Sequence, residues 1–517
     1  MAPTKNIRNT KAIAKNTVFL YVRSIVVMAV GLFTSRVILQ ALGVNDYGVY
    51  NVVGGFVSMF SILSTAMVNA SQRFISYEMG KDNPQLNRIF CGTVSIHLIL
   101  AVIILLLFET FGIWFLNTQL NISSDRIYAA NWVFQCSVLT FCVNLISVPY
   151  NASIIAHEKM NVFAYISIYE AFAKLGIVYL LYVTGYDKLI VYAILMFAIA
   201  VSLRLFYGFY CSRHFEECKF HFEIEKPLLK ELLSFTGWNF IGSTAGILST
   251  QGINILVNVF FGVALNAARG IVEQANQAVN TFVGNFMTAM NPQITKSYAA
   301  GDYRYMRSLM VKGAKYSAVL YWFLALPIFV EAENILQVWL VEVPDYAILF
   351  LRLTIIYTVF RTLANTIYTG MIATGNIRNY QIVMGALYLC SFVLCFVFFK
   401  MRLGPEYSYI SSIIIAIIQL FVRLKLISDI VPDFSKKEFF TEAILKSLFV
   451  ILSSVLLLFL IKGLISFCNI YIEILAVLII SVVVAGALSY WIAFSKKERT
   501  TVFDYANKLF RKVSSNH

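Results

Sequence analysis

A stripe of polar and charged residues runs through one weakly apolar stretch of the chain, residues 265–290. In an α-helix its spacing of four, three, four and four residues places every member on one face. A polar stripe is costly against lipid, so it must line water or another polar helix. We favour a water-filled cavity because the stripe carries a full charge, and interhelical hydrogen bonding is the alternative. The members are Arg269, Glu273, Asn276, Asn280 and Gly284.

Cations also lie within other apolar stretches, at Arg23, Arg36, Lys174, Arg352 and Arg361. A charge at the bilayer centre costs about 2.5–3.5 kcal/mol on insertion scales, so it normally faces a cavity or a partner. Three of these arginines lie near a helix end, where their side chains could instead extend to the membrane interface. Arg361 lies near the middle of its stretch, so we expect it to face a cavity or to form a buried pair.

Glu170 and Lys174 lie four residues apart near the centre of another apolar stretch. The acid precedes the base, which is the favourable order for an ion pair along a helix. The pattern favours a self-neutralised structural pair, and a role in substrate binding is the alternative.

Arginine in a partly dry cavity suits an anionic substrate best. Its planar fork binds phosphate bidentately and stays charged when partly dehydrated. Cations outnumber acids within the apolar stretches, and a cationic drug would be repelled there. Glu273, beside Arg269, is our candidate for binding a coupling H⁺ or Na⁺, with a plain Arg–Glu pair as the alternative. The predicted substrate-binding residues are Arg23, Arg36, Arg269, Arg361, Asn276 and Asn280.

The elements that must position these residues are membrane helices. The chain has 517 residues, of which 59% are hydrophobic and only 13% are charged, whereas soluble domains carry about 25% charged residues. A helix needs about 20 apolar residues to cross a bilayer. We therefore predict an all-α polytopic membrane protein with about fourteen spans. They lie near 17–41, 48–71, 92–116, 129–152, 162–184, 189–211, 236–261, 265–290, 312–331, 346–372, 379–399, 407–427, 441–463 and 470–494.

The first twelve spans form a duplication. QRFISYEMGKD at 72–82 matches QITKSYAAGD at 293–302, and YNASIIAHEKMN at 150–161 matches YTGMIATGNIRN at 368–379. Six spans per repeat is an even number, so the repeats are parallel, as in many transporters. We predict an N-terminal lobe at 1–211, a C-terminal lobe at 212–427, and two extra helices with a basic cytoplasmic tail at 428–517.

The distribution of charge predicts cytoplasmic termini. Lys and Arg concentrate in the segments that are inside on this topology, and the outer loops hold few of them. The net charge of +14 is thereby explained by basic loops facing an anionic lipid surface, without nucleic acid. The outer loops are short, which disfavours a membrane glycan polymerase. No Walker loop, metal spacing or CxxC pair is present, so we expect no cofactor, no metal site and no direct use of ATP.

Three segments resemble the polysaccharide-transport family of lipid-linked oligosaccharide flippases, in the superfamily of the multidrug and toxin extruders. They are TSRVILQALGVNDYGVYNVV at 34–53, NASQRFISYEMGKDN at 69–83 and VPYNASIIAHEKMN at 148–161. The resemblance extends over almost the whole chain, which looks like the O-antigen and capsule flippases. Such flippases move undecaprenyl-diphosphate-linked oligosaccharides outward between two six-helix lobes. In related lipid II flippases, arginines of helices 1 and 8 surround the headgroup, and Arg23, Arg36 and Arg269 occupy comparable places here.

The resemblance implies a non-enzymatic flippase of the bacterial inner membrane, acting in lipopolysaccharide O-antigen, capsule or exopolysaccharide synthesis. It would work beside a glycan polymerase, move its substrate through a cationic central cavity and use the membrane potential, H⁺ or Na⁺. A cation-coupled multidrug exporter of the same fold is the alternative.

Topology is directly testable. Reporter fusions or cysteine labels at positions 120, 337 and 466 should report the outside, and those at 220, 432 and 510 should report the inside. The reason is the concentration of Lys and Arg in the segments on one side of an even number of spans. Inversion at 466 alone would show that the last helical hairpin is misplaced.

Overall fold

A computed structural model gives the fold of the chain and describes residues 3–58, 60–82, 84–118, 124–222, 226–340, 343–464, 469–496 and 498–500. Within them, the first repeat consists of seven helices that carry the six predicted spans. They are α1 Pro3–Ser58, α2 Ser61–Glu78, α3 Leu86–Leu107, α4 Ile113–Thr118, α5 Ile127–Ala156, α6 Met160–Val183 and α7 Lys188–His214. A π-helical turn at Phe108–Gly112 joins α3 and α4 into one continuous span.

The second repeat has the same order of long helices, followed by the extra pair. Its helices are α8 Lys226–Phe261, α9 Val263–Ala299, α10 Tyr303–Val330, α11 Ala332–Trp339, α12 Ala347–Thr374, α13 Arg378–Lys400 and α14 Tyr407–Ile430. The extra pair is α16 Lys446–Leu464 and α17 Ile470–Leu488, preceded by the short α15 Lys436–Phe439. The all-α fold with about fourteen spans and two parallel repeats is thus confirmed.

Eleven helices in the described part of the chain are long and apolar enough to cross a membrane. Each coincides with a predicted span. The three other predicted spans lie in α1, α2 and α9, and in α1 the apolar stretch Asn16–Gly31 is shorter than a full span. The span predicted at 48–71 differs in detail, because it falls on two pieces: residues 44–58 of α1, beyond a kink at Gly43, and α2, which begins at Ser61.

The repeat is visible in the backbone at two glycines. α1 bends at Gly43, and α8 gives way to α9 at Gly262; their φ angles are +78° and +88°. Such positive φ angles are strained for residues with a Cβ, so glycine permits both bends. Each glycine separates the first long helix of its repeat from the second.

The chain packs as two compact units. The first comprises Met1–Thr244, Thr288–Asp302 and Ile372–Ile382, and the second comprises Ala245–Met287, Tyr303–Met371 and Val383–His517. The first therefore includes short segments from the C-terminal end of α9 and from around the turn between α12 and α13. The predicted lobe boundaries at 211 and 427 stay a prediction.

In the first unit, α1 packs on α6, and α5 packs on α7 and α2. The apolar core between them includes Ile154, Val178 and Cys211. At the predicted outer end, Arg126 forms ion pairs with Asp46 and Asp187. Asp187 also caps α7 by accepting hydrogen bonds from the amides of Leu189 and Ile190, which satisfies free N–H groups at the helix start. Arg126 thus ties the bend of α1 to the start of α7.

In the second unit, α16 and α17 pack against α10, and two ion-pair groups support this packing. Just after the end of α10, the buried carboxylate of Glu331 lies 2.7 Å from Lys462 of α16, which is also 3.1 Å from Glu473 of α17. Within α10, Lys315 donates to Glu498, in the segment after α17, at 3.0 Å, and the Tyr316 hydroxyl donates to the same carboxylate at 2.6 Å.

Burial opposes ionisation of the Glu498 carboxyl, but hydrogen bonds from Tyr316, the Ser495 amide and Lys315 outweigh it and lower its pKa to about 2. A lowered pKa in the folded state contributes stability above the unfolded pKa of about 4.3 and loses it as the pH falls towards 2. The contact with Glu498 therefore persists at neutral and mildly acidic pH.

Replacing Lys315 should destabilise the second unit strongly. Its side chain is only 3% exposed, so Lys315→Met leaves a carboxylate without its main cation and should cost about 3–5 kcal/mol. The matched control is Lys446→Met, whose pair with Glu442 along one helix is much more exposed, at 31% and 39% for the two side chains, and worth about 0–1 kcal/mol. Thermal unfolding in detergent compares the two variants, and equal melting temperatures would contradict the structural role of Lys315.

Candidate functional site

The predicted site residues fall on four helices in two units. Arg23 and Arg36 lie on α1, and Glu170 and Lys174 lie on α6, all in the first unit. Arg269, Glu273, Asn276 and Asn280 lie on α9, and Arg361 lies on α12, all in the second unit. The side chain of Arg36 is outside the described part of the structure. That Arg23, Arg36, Arg269 and Arg361 face one cavity stays a prediction.

In the first unit, Arg23 and the pair on α6 are neighbours. The Arg23 guanidinium lies over the Phe163 ring, 4.7 Å from its centroid, and interacts electrostatically with Glu170 and Tyr207. Lys174 donates to the Glu170 carboxylate at 2.6 Å. Glu170 and Lys174 of α6 thus form an ion pair. Arg23 of α1 adds a second cation near the Glu170 carboxylate.

In the second unit, Arg269 is held by several partners. Its Nε donates to Asn254 at 3.0 Å, and its Nη1 donates to Ser408 at 2.7 Å. The guanidinium also lies over the Tyr409 ring, 4.5 Å from the centroid. These contacts fix the orientation of a half-buried guanidinium between α8 and α14. Its position is set before any ligand arrives.

Glu273 forms no ion pair within 4 Å among the described residues. Its carboxylate is exposed and interacts electrostatically first with Arg361 and then with Arg269. The simple Arg269–Glu273 contact that was the alternative to an ion-coupling role is therefore not formed. An accessible carboxylate between two cations is able to exchange a proton or a small cation with water.

Arg361 is exposed although it lies in the middle of α12. Its guanidinium lies 5.6 Å from the centroid of the Tyr357 ring on its own helix and interacts electrostatically with Tyr388 of α13 and Glu273 of α9. Its neighbours belong to three helices of one unit. That Arg361 faces a cavity stays a prediction.

The asparagines of the stripe behave differently from the charged residues. Asn276 is buried, and its Oδ1 accepts hydrogen bonds from the Tyr321 hydroxyl at 2.8 Å and the Thr358 hydroxyl at 3.2 Å. It therefore joins α9 to α10 and α12, which is the interhelical bonding considered as the alternative. Asn280 is half-buried one turn further along.

Two further arginines within spans were not singled out from the sequence. The guanidinium of Arg204 on α7 lies 3.9 Å from the centroid of the Tyr150 ring. Arg423 on α14 interacts with Tyr368, and its Nη2 lies 3.5 Å from the Tyr388 hydroxyl. Tyr150 and Tyr368 are matched in the predicted duplication, so each repeat carries the same Arg–Tyr pair. The internal alignment, extended to the last helix of each repeat, would have revealed them.

A family profile described as polysaccharide biosynthesis protein matches residues 13–297, more than half of the chain. The chain belongs to this family. Comparison with curated protein sequences finds no significant match.

Solved structures show that the chain has the fold of MATE transporters in the MOP superfamily. An outward-facing multidrug resistance MATE transporter shares 12% identity, with a TM-score of 0.72 over 83% of this chain and 97% of the other. A MATE protein in complex with MaD3S shares 13% identity, with a TM-score of 0.71 over 81% and 96% of the two chains. A MOP superfamily transporter from Pyrococcus furiosus, described as having a binding pocket of reversed polarity, shares 12% identity, with a TM-score of 0.70 over 83% and 97%.

The orientation of Arg269 makes a specific prediction. Arg269→Lys keeps the charge but cannot bond Asn254 and Ser408 together, so it should reduce substrate transport less than Arg269→Ala but measurably. Transport by purified protein in proteoliposomes measures the order. Equal activity of Arg269→Ala and the native protein, at equal expression, would exclude a role in transport.

Proposed function

We propose that this chain is a flippase that moves a polyprenyl-diphosphate-linked oligosaccharide from the inner to the outer leaflet of the bacterial cytoplasmic membrane. The observation that carries the proposal is Arg361, an accessible arginine in the middle of a membrane helix. A guanidinium in that position is costly unless it meets water or an anion, and it matches a phosphate bidentately. Membership of a polysaccharide biosynthesis family supports a glycan as the group attached to the phosphate.

The path we propose is alternating access between two lobes. The diphosphate would bind to the arginines, while the oligosaccharide occupies the aqueous space and the lipid tail stays in the bilayer. The tyrosines beside Arg361 supply hydroxyl donors that favour an anion further. Substrates of this kind belong to the synthesis of O-antigen, capsule or exopolysaccharide, in which a glycan polymerase would use the product outside.

A cation-coupled multidrug exporter is the second candidate, and one observation favours it. Glu273 is an exposed carboxylate on α9, and two of the structural neighbours are MATE proteins, one of them described as a multidrug resistance transporter. Binding pockets in this fold differ in polarity, since the Pyrococcus furiosus neighbour is described as having a binding pocket of reversed polarity. In this chain, cationic Arg361 and Arg269 flank Glu273 and would repel a cationic drug.

The decisive experiment is flipping of a lipid-linked oligosaccharide in proteoliposomes. Arg361→Ala should slow flipping by at least about tenfold, because a hydrogen bond to a charged group contributes about 1.5–3 kcal/mol. Arg361→Lys should fall between Arg361→Ala and the native protein. Arg213→Ala, which removes an exposed cation at the end of α7, is the matched control and should flip normally. Export of cationic drugs with no flipping activity would establish the exporter instead.

Energy coupling gives a separate prediction. A diphosphate with about two negative charges gains about 2.3 kcal/mol per charge per 100 mV when it moves outward across an inside-negative membrane. An H⁺ or Na⁺ bound at Glu273 would help to return the empty cationic carrier. Flipping should therefore slow when an imposed potential is collapsed, and Glu273→Gln should change its dependence on pH or Na⁺. Flipping that is indifferent to potential, pH and Na⁺ would remove the role of Glu273.

A further inference from the structure

A pocket of about 470 Å³ lies in the first unit, away from the residues discussed above. One wall is a face of α8, and the other is the turn between α12 and α13. The charge distribution predicts that both walls are on the cytoplasmic side. The residues that define the pocket chemically are Lys230, Glu231, Phe235, Trp238, Gly375 and Arg378.

Behind the pocket lies a buried arginine with too little counter-charge. Arg73 on α2 has a side chain that is only 5% exposed, and its Nε has no hydrogen-bond partner in the described part of the chain. Aromatic rings surround its guanidinium, including Phe235, whose centroid lies 5.5 Å away. The carboxylate paired with it is Glu231, at 3.5 Å, and that side chain is 63% exposed. A buried charge with such a loose partner is unfavourable, so Arg73 favours an additional anion.

Three neighbours of Arg73 also line the pocket. Glu231 pairs with it, Phe235 stacks beside it, and Gly375 approaches it so closely that a Cβ there would collide with the guanidinium. Arg73 therefore lies directly beneath the pocket floor. At the rim, Lys230 and Arg378 are exposed, and the Arg378 guanidinium lies 5.4 Å from the centroid of the Trp238 ring. Among the described residues, two cations at the rim and Arg73 beneath the floor thus face one exposed carboxylate.

We infer that this pocket binds a phosphate-type anion, most suitably a diphosphate, from the cytoplasmic side. The anion would contact Lys230 and Arg378 at the rim and displace the Glu231 carboxylate from Arg73. The volume exceeds that of a phosphate group, so an attached organic group would lie against Trp238. The binding chemistry stands without the proposed function. The inference rests on that function only if the phosphate belongs to the lipid-linked glycan, for which this pocket would be a first docking point.

The test uses the full chain in nanodiscs of zwitterionic lipid, titrated with inorganic diphosphate in a calorimeter. Lys230→Ala with Arg378→Ala should weaken binding at least tenfold, and Glu231→Gln should strengthen it by removing the competing carboxylate. The matched control is Arg213→Ala with Lys437→Ala, which removes two exposed cations from the same predicted face and should leave affinity within twofold. Equal losses in both double variants would reduce the effect to net charge and overturn the site.

Two further measurements assign the anion. Arg73→Lys keeps the charge but not the guanidinium, so unchanged affinity would exclude Arg73 from the site. Polyprenyl-diphosphate glycan in the nanodiscs should compete with inorganic diphosphate if it is the source, whereas competition by phosphatidylglycerol would assign the pocket to an ordinary lipid headgroup. Competition by neither leaves a soluble phosphate compound as the ligand. Failure to flip glycan, with diphosphate binding intact, would refute the proposed function and not the pocket.

Discussion

The cost of placing charge in hydrocarbon governs the arrangement of this protein, because each charged side chain within a span must find a partner or water. Arg269 is fixed by Asn254, Ser408 and the Tyr409 ring. Lys174 meets Glu170 along one helix. Arg361 and Glu273 differ, since both are exposed and no ion pair joins them among the described residues. Charges in the middle of spans are costly unless they meet water or an anion, and the proposed substrate path supplies both.

The two repeats provide partners for their half-buried arginines in partly similar ways. Arg204 lies against Tyr150 in the first repeat, and Arg423 interacts with Tyr368 in the second. Arg423 also approaches Tyr388, which interacts in turn with Arg361. The first repeat instead uses its charges locally, with Arg23 beside Glu170. The two repeats therefore share the same order of long helices but differ in their charged residues. In the second repeat Arg361 is exposed and forms no ion pair among the described residues.

Much of the fold could be predicted from the sequence because hydropathy and the duplication act on single segments. Hydropathy located thirteen spans, and the internal repeat located the span in α9, whose polar stripe weakens its hydropathy. The partners of Arg269 could not be predicted, because Ser408 and Tyr409 lie more than 130 residues away on α14. Asn276 shows the same limit. Periodicity placed it on the stripe, but only packing showed that Tyr321 and Thr358 bury it.

Asn276 and Arg361 differ in whether their polar groups are already occupied by partners within the protein. Asn276 satisfies its acceptor inside the second unit, so a ligand would have to break existing hydrogen bonds to use it. Arg361 is exposed and forms no ion pair among the described residues, so a ligand could form charge-assisted bonds with it without breaking one. This difference matters for the free energy of ligand binding, because replacing one hydrogen bond by an equivalent one contributes little. If the proposed function is correct, Arg361, rather than the full polar stripe, is therefore the group that would select an anionic substrate.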